Sequence, residues 1–350
     1  MLFSTLLVWA PFLRDHDTLY RYWDGPHYAY LAKTLYDVPA DHPFVAYGLT
    51  PAYYSTHLPA YPILIRILAV VTLGSYLPAM LLATLLTAIA AALLFHEVLT
   101  RFELVRSPLW TAMLFAFLPP RWVIYHSVGA TEPLFLCFVF GAFLAYRKDR
   151  PWALAGLIAA ASLTRIMGVL LVPAFVACYL LERRLRHAAI VPVALLATFG
   201  VLVWHRLMYG DLLAYVTRNV GESGHMAFPP LKAFFAYAGD GDTHSAELYL
   251  ALYLLYGLGT MALVKQRPFF LYCLTFFAFN LFVFHFDLSR MFVPVAPFAL
   301  LVAFDWIWSE PAARLIAPLL VYLDCQYAWG LIPRNAVELP VYESLLRVLG

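Results

Sequence analysis

Residues 77 to 95 and 188 to 204 contain no Asp, Glu, Lys or Arg. Each run is about as long as a helix needs to be to cross the hydrocarbon core of a bilayer. A water-soluble domain would have to hide that much apolar surface on every side, so the main solvent of this chain is lipid. Composition agrees: 63% of the residues are hydrophobic and 13% charged, roughly half the charge from which a soluble domain builds its polar coat. The net charge of +2 is dispersed over short basic clusters. It lacks the single basic face that nucleic-acid binding requires, which excludes that class of partner. Cys137, Cys178, Cys273 and Cys325 sit in apolar segments without CxxC spacing. They read as small core residues, not as a zinc site or a disulfide framework.

Apolar runs set against breakers predict an all-α polytopic membrane protein of about eleven spans: 1 to 13, 77 to 99, 108 to 124, 130 to 146, 151 to 163, 167 to 182, 188 to 208, 247 to 264, 268 to 284, 291 to 307 and 315 to 332. The first lacks a basic leader and a small-residue cleavage site, so it reads as a short span and not a signal peptide. The pair 151 to 163 and 167 to 182 is either two half-crossings meeting at Arg165 or one long broken helix. With no internal repeat and no stretch of soluble composition, residues 1 to 350 form a single membrane domain.

Arg101/Arg106, Arg147/Lys148/Arg150, Arg183/Arg184/Arg186, Lys265/Arg267 and Arg314 all fall in tight connections on one side. The positive-inside rule makes that side cytoplasmic. The long connections 14 to 76 and 209 to 246 then lie outside, that whole side holds nine of the eleven histidines, all but His96 and His187, and the functional polarity points to the extracytoplasmic face. In the first loop, Pro26 to Tyr36 reads as a short amphipathic helix with Asp24 or Gly25 as its cap, and Pro59 to Val71 as a second, interfacial one.

An Asp beside a helix start is kept ionised by the helix dipole, so Asp24 is either a plain N-cap or a general base for a hydroxyl delivered at the membrane surface. Arg165 and Arg290, flanked by apolar spans, must meet an anion, a structural partner such as Glu132 or Asp287, or water. Lys33 and Arg121 are weaker candidates for the same anion. Glu132 starts a span and could cap it, orient an arginine or touch a substrate. His27, three residues after Asp24, can flank the same pocket. Asp41, His42 and His57 share this loop with eleven aromatics between Tyr20 and Tyr61, Trp23 and Tyr28 among them. Aromatic faces suit sugars and equally suit the bilayer interface. The run Asp240-Gly241-Asp242-Thr243-His244 reads as a solvated turn, and no metal site is expected there.

The segment Arg21-Tyr22-Trp23-Asp24-Gly25-Pro26-His27-Tyr28-Ala29-Tyr30-Leu31-Ala32 resembles the WD-x-x-H-[FY]-x-x-[IL]-A signature of the PIG-V-like mannosyltransferases, enzymes of the GT-C fold. Four later segments are similar to that family's motifs in the same order: Leu58 to Arg66, Gly129 to Phe135 around Glu132, Leu163 to Gly168 around Arg165, and Tyr209 to Tyr215. The resemblance implies a GT-C bundle with a long first extracytoplasmic loop. It implies inverting transfer of a sugar, mannose first, from a polyprenyl-phosphate carrier to a hydroxyl of a lipid or glycan acceptor, usually with no bound metal or other cofactor.

The residue inventory suits that chemistry. A lipid phosphate leaves as a stable anion and needs cations more than a general acid, so one base and a cationic clamp suffice. Asp24 would be the base, Arg165, Arg290 and Lys33 the phosphate clamp, and Trp23, His27, Tyr28, His57 and Glu132 the sugar and acceptor contacts. Two other classes remain: a transporter or flippase of lipid-linked sugars, which also uses buried arginines and broken helices, and a non-catalytic subunit of a glycosylation complex.

Overall fold

The computed structural model describes residues 1 to 350 apart from 227, 240 to 242 and 286, with backbone alone at 222, 233, 237 to 239 and 243 to 245. In the Asp240–His244 run, residues 240 to 242 therefore lie outside the described residues, and the side chains of 243 and 244 with them. Every regular element among the described residues is helical; two isolated bridge pairs, Tyr22–Ala336 and Met226–Val283, are the strand-like contacts. Prolines open many of the helices. Pro108, Pro120, Pro151 and Pro311 each occupy the first helical position, where the missing N–H costs nothing because that donor has no intrahelical partner.

Among the described residues three helices are long and apolar enough to cross a membrane: Tyr76–Arg101, Leu185–Tyr209 and Pro311–Arg334. Only 22% of the apolar window of the second and 28% of that of the third are buried. Leu196, Phe199, Leu207 and Leu315 point outward with most of their surface exposed. In water such faces would form apolar patches far larger than a monomer tolerates. In lipid they cost nothing.

Shorter apolar helices, Leu2–Phe12, Pro151–Thr164, Ile166–Leu181 and Ala246–Ala262, coincide with expected spans, as do Glu132–Arg147 and Arg267–Asn280. Two expected spans are not single helices. Residues 108 to 124 split into Pro108–Phe115 and Pro120–Tyr125, because Pro119 and Pro120 remove two consecutive donors. Residues 291 to 307 divide among the end of Leu288–Phe292, a wide π-helical turn at Pro297–Val302 and the start of Asp305–Trp308.

The ambiguity at Arg165 resolves into two separate helices of opposite direction. Arg165 is extended (φ −145°, ψ 135°) and ends Pro151–Thr164. Beyond it the chain runs back alongside Glu132–Arg147: Arg165 meets Glu132 at one end, Phe175 meets Phe143 midway, and Tyr179 and Glu182 meet Tyr146 at the other. The basic connections gather at that second end, where Arg147 donates to the Arg101 carbonyl and Arg184 pairs with Asp149.

The buried core has two parts, one within the bundle and one beneath the first loop. The second is closed by a C-terminal helix, Leu339–Leu349, which buries Val341, Tyr342 and Leu345. It is tied to the loop by Val337 N–H to Arg21 O at 2.7 Å, Trp23 N–H to Asn335 O at 3.0 Å and Tyr342 hydroxyl to Asp17 at 3.0 Å.

Candidate active site

The first-loop helix runs from Asp24 to Thr34, two residues earlier than the sequence pattern suggested, and its cap is Trp23. Asp24 is therefore the first helical residue and not the cap. The cap role is overturned: the carboxylate reaches away from its own helix to Arg290, with Oδ2 2.5 Å from Nη1.

Gly25 allows this placement. A Cβ built on Gly129 would stand 2.7 Å from the Gly25 Cα, and one on Gly25 would stand 3.3 Å from the Gly129 Cα. Only two glycines let these backbones approach so closely. Asp24 precedes one of them and Glu132 follows the other by three residues, so the contact fixes the spacing of the two acids.

Glu132 is buried and opens its helix directly after Thr131. Its Oε1 accepts from Arg290 Nε at 2.7 Å and from Arg165 Nη1 at 2.6 Å. Arg165 also donates to Thr131 Oγ1 at 3.0 Å, and Arg290 lies over the Tyr125 ring at 4.5 Å. Each acid stands at a helix N-terminus and Arg165 stands at a helix C-terminus, the arrangement helix dipoles favour. Asp24–Arg290–Glu132–Arg165 thus forms one neutral relay drawn from four separate segments. Beside it Arg121 pairs with Asp287 at 2.7 Å, and Tyr125 donates to the same carboxylate at 3.1 Å.

Burial by itself would raise the Asp24 carboxyl, but the adjacent Arg290 guanidinium, aided by His57, outweighs it and holds the group below the ordinary carboxylate range. An ionised Asp24 is a hydrogen-bond and proton acceptor at neutral pH.

Around Asp24 the loop builds an aromatic and histidine wall. His27 is fully buried, stacks on Phe44 at 3.9 Å, and lies 5.9 Å from Trp23 and 5.5 Å from His57 between ring centres. Tyr28 meets His57 at 4.9 Å and Tyr61 at 5.2 Å, both edge-on. Burial pushes His27 well below the usual histidine range and His57 down to about 4, so both rings are neutral at pH 7.

Of the residues expected to act together, Asp24, Glu132, Arg165 and Arg290 are joined directly, and Trp23, His27, Tyr28 and His57 wall the same loop. Lys33 is not among them. It sits nine residues along the helix from Asp24, about 13 Å at 1.5 Å per residue, and lies over the Tyr76 ring instead. Tyr125 and Asn335 escaped the sequence reading. Tyr125 follows a proline pair within an apolar run, and nothing in its local pattern marks it.

An apolar groove of about 400 Å³ is lined by Leu35, Tyr36, Ile63, Leu163, Gly200 and Trp204 among others, Leu163 standing two residues before Arg165 in the chain. A smaller pocket shares Val201 with it and is lined by Ser162, Ile166 and Tyr215, on either side of Arg165 in the chain and in the last of the five motifs. Among the described residues no group of three or more His, Cys, Asp or Glu side chains is disposed to hold a metal ion. Comparison with family models, with curated proteins and with solved structures finds no match.

Proposed function

We propose that this chain is a multi-pass membrane glycosyltransferase of GT-C type that moves a sugar, mannose by the resemblance, from a polyprenyl-phosphate carrier to a hydroxyl of a lipid or glycan at the extracytoplasmic face. The observation that carries the reading is the relay Asp24–Arg290–Glu132–Arg165. Three of its four members come from separate motifs of the resemblance, far apart in sequence, and they meet at one point.

The groove supports the choice of donor. An isoprenoid chain is apolar, as the groove is, and its phosphate would reach Arg165 by way of the smaller pocket that shares Val201. There the anion would take over guanidinium contacts that Glu132 supplies in the relay. Asp24 would accept the proton of the acceptor hydroxyl as that oxygen attacks the anomeric carbon, and the lipid phosphate would depart with the electron pair of the broken C–O bond. The gathering of basic connections at the far end of the bundle supports placing the relay outside.

The test incubates purified protein in detergent with radiolabelled polyprenyl-phosphate mannose and alkyl glycoside acceptors, comparing wild type with Asp24→Asn. Transfer by wild type and a loss of at least a hundredfold in the variant are expected. Equal transfer by both sinks the base assignment. No transfer by wild type with any donor favours a transporter or a non-catalytic subunit. For orientation, Asp41→Cys should react with an impermeant maleimide on intact cells; reaction only after lysis inverts the topology.

A further inference from the structure

His57 is pinned more firmly than a loop residue needs to be. Its N–H donates to Tyr54 O at 3.1 Å and its carbonyl accepts from the Tyr36 hydroxyl at 2.7 Å. Its ring packs against His27, Tyr28, Tyr53 and Tyr54.

A further contact fixes the ring proton. Thr56 Oγ1 lies 2.9 Å from Tyr53 O, and a carbonyl can only accept, so the single Thr56 proton is committed there. The same oxygen lies 2.9 Å from His57 Nδ1 and can meet it only as an acceptor. Nδ1 therefore carries the imidazole proton, and in the neutral ring Nε2 holds a bare lone pair. Nε2 makes no hydrogen bond among the described residues, and, unlike both nitrogens of His27, it is not sealed from solvent. His57 lies within electrostatic range of Asp24 and Arg290.

Asp24, His27 and Tyr28 lie on one helix face at i, i+3 and i+4, and the His57 ring packs on the last two, so Asp24 and His57 offer two hydrogen-bond acceptors on one wall. The neighbouring cations of the relay are already engaged with carboxylates. Two acceptors on one wall match two neighbouring donors, as on a sugar or another polyol, and a simple alcohol satisfies one of them. We propose that His57 Nε2 accepts a hydrogen bond from the hydroxyl next to the nucleophilic one, so that the site selects acceptors bearing a vicinal diol. The proposal rests on the transferase reading above. In the step the nucleophilic oxygen bonds to the anomeric carbon, its proton passes to Asp24, and the phosphate leaves with the electron pair. The second hydroxyl keeps its proton and only orients.

Two measurements test it. With polyprenyl-phosphate mannose as donor, octyl mannoside and 1-octanol are compared as acceptors. Wild type should favour the mannoside at least a hundredfold in kcat/KM. His57→Phe should cut that preference to about fivefold or less through a higher mannoside KM, with donor KM unchanged, and His57→Gln should restore part of it. A preference untouched by His57→Phe, or an effect confined to donor KM, overturns the proposal while leaving the transferase reading intact. Absence of wild-type transfer to either probe overturns both. Independently of activity, 15N spectra of histidine-labelled protein should show His57 protonated at Nδ1 and bare at Nε2, and Thr56→Val should weaken that preference. A proton on Nε2 in the wild type overturns the proposal.

Discussion

Asp24 and Arg290 lie in contact at 2.5 Å although one belongs to the first loop and the other to a short helix late in the chain. Arg290 is the principal force opposing the burial that would otherwise protonate Asp24. Arg290→Gln removes it, so the Asp24 carboxyl rises and its base form is lost at a higher pH. The acid limb of the pH profile of kcat/KM for sugar transfer should move up by about one unit or more in this variant. An unmoved limb separates the two residues functionally.

Glu132 serves both arginines through one oxygen, so removing its charge leaves Arg165 without a carboxylate partner and Arg290 with Asp24 alone, where water scarcely reaches. Breaking a buried pair from one side costs about 3–5 kcal/mol. Glu132→Gln should lower the melting temperature in detergent markedly, and Arg165→Met in the same chain should recover part of the loss. A double-mutant cycle with no coupling between positions 132 and 165 contradicts the geometry.

Much of this was legible in the sequence, and the boundary is physical. Long uncharged runs identify helices that face lipid, and charged residues between such runs must find partners, which is why Asp24, Glu132, Arg165 and Arg290 were nameable beforehand. Which partner each finds depends on tertiary approach. Local pattern made Asp24 a cap, yet its carboxylate bonds a residue from the far end of the chain. The split of 108 to 124 was written in Pro119-Pro120, where apolar content outweighed two missing donors. The role of 335 to 349 was hidden because a short amphipathic helix without a buried neighbour in sequence reads only as an exposed tail.

The Gly25–Gly129 contact predicts a mutation with no charge change and a large effect. In Gly129→Ala the new methyl would stand 2.7 Å from the Gly25 Cα, against backbone that cannot swing aside. The two helix starts must separate by a few tenths of an ångström or more, carrying Asp24 away from Arg290. Transfer should fall at least tenfold, with a lower melting temperature. Gly156→Ala, where the added Cβ meets nothing within 4 Å, should behave as wild type in both.

Gly200 lines the apolar groove, and a Cβ there also meets nothing within 4 Å. Gly200→Phe therefore starts from an unobstructed Cβ and adds a ring at the groove wall. If an isoprenoid chain lies there, the KM of a long-chain polyprenyl-phosphate donor should rise about tenfold or more, while a donor with only one or two isoprene units should be affected far less. Equal effects on both donors would place the lipid elsewhere.

Acidification should weaken the first loop in a window set by its histidines. His57 titrates at about 4 in the folded chain against 6.5 as the ordinary value, and His27 is likewise lowered, both chiefly by burial. Between those values the unfolded chain binds protons that the folded chain does not, so stability rises with pH across the window and is lost on going down through it. At about 1.4 kcal/mol per unit, His57 alone would account for roughly 3 kcal/mol between pH 6.5 and 4. Asp24, held low by Arg290, adds a further loss only below about pH 4. Melting curves in detergent should therefore fall steadily from pH 7 to pH 4.5, and His57→Phe, which cannot take up a proton in either state, should flatten the decline. A variant as acid-sensitive as the wild type would assign the effect to other groups.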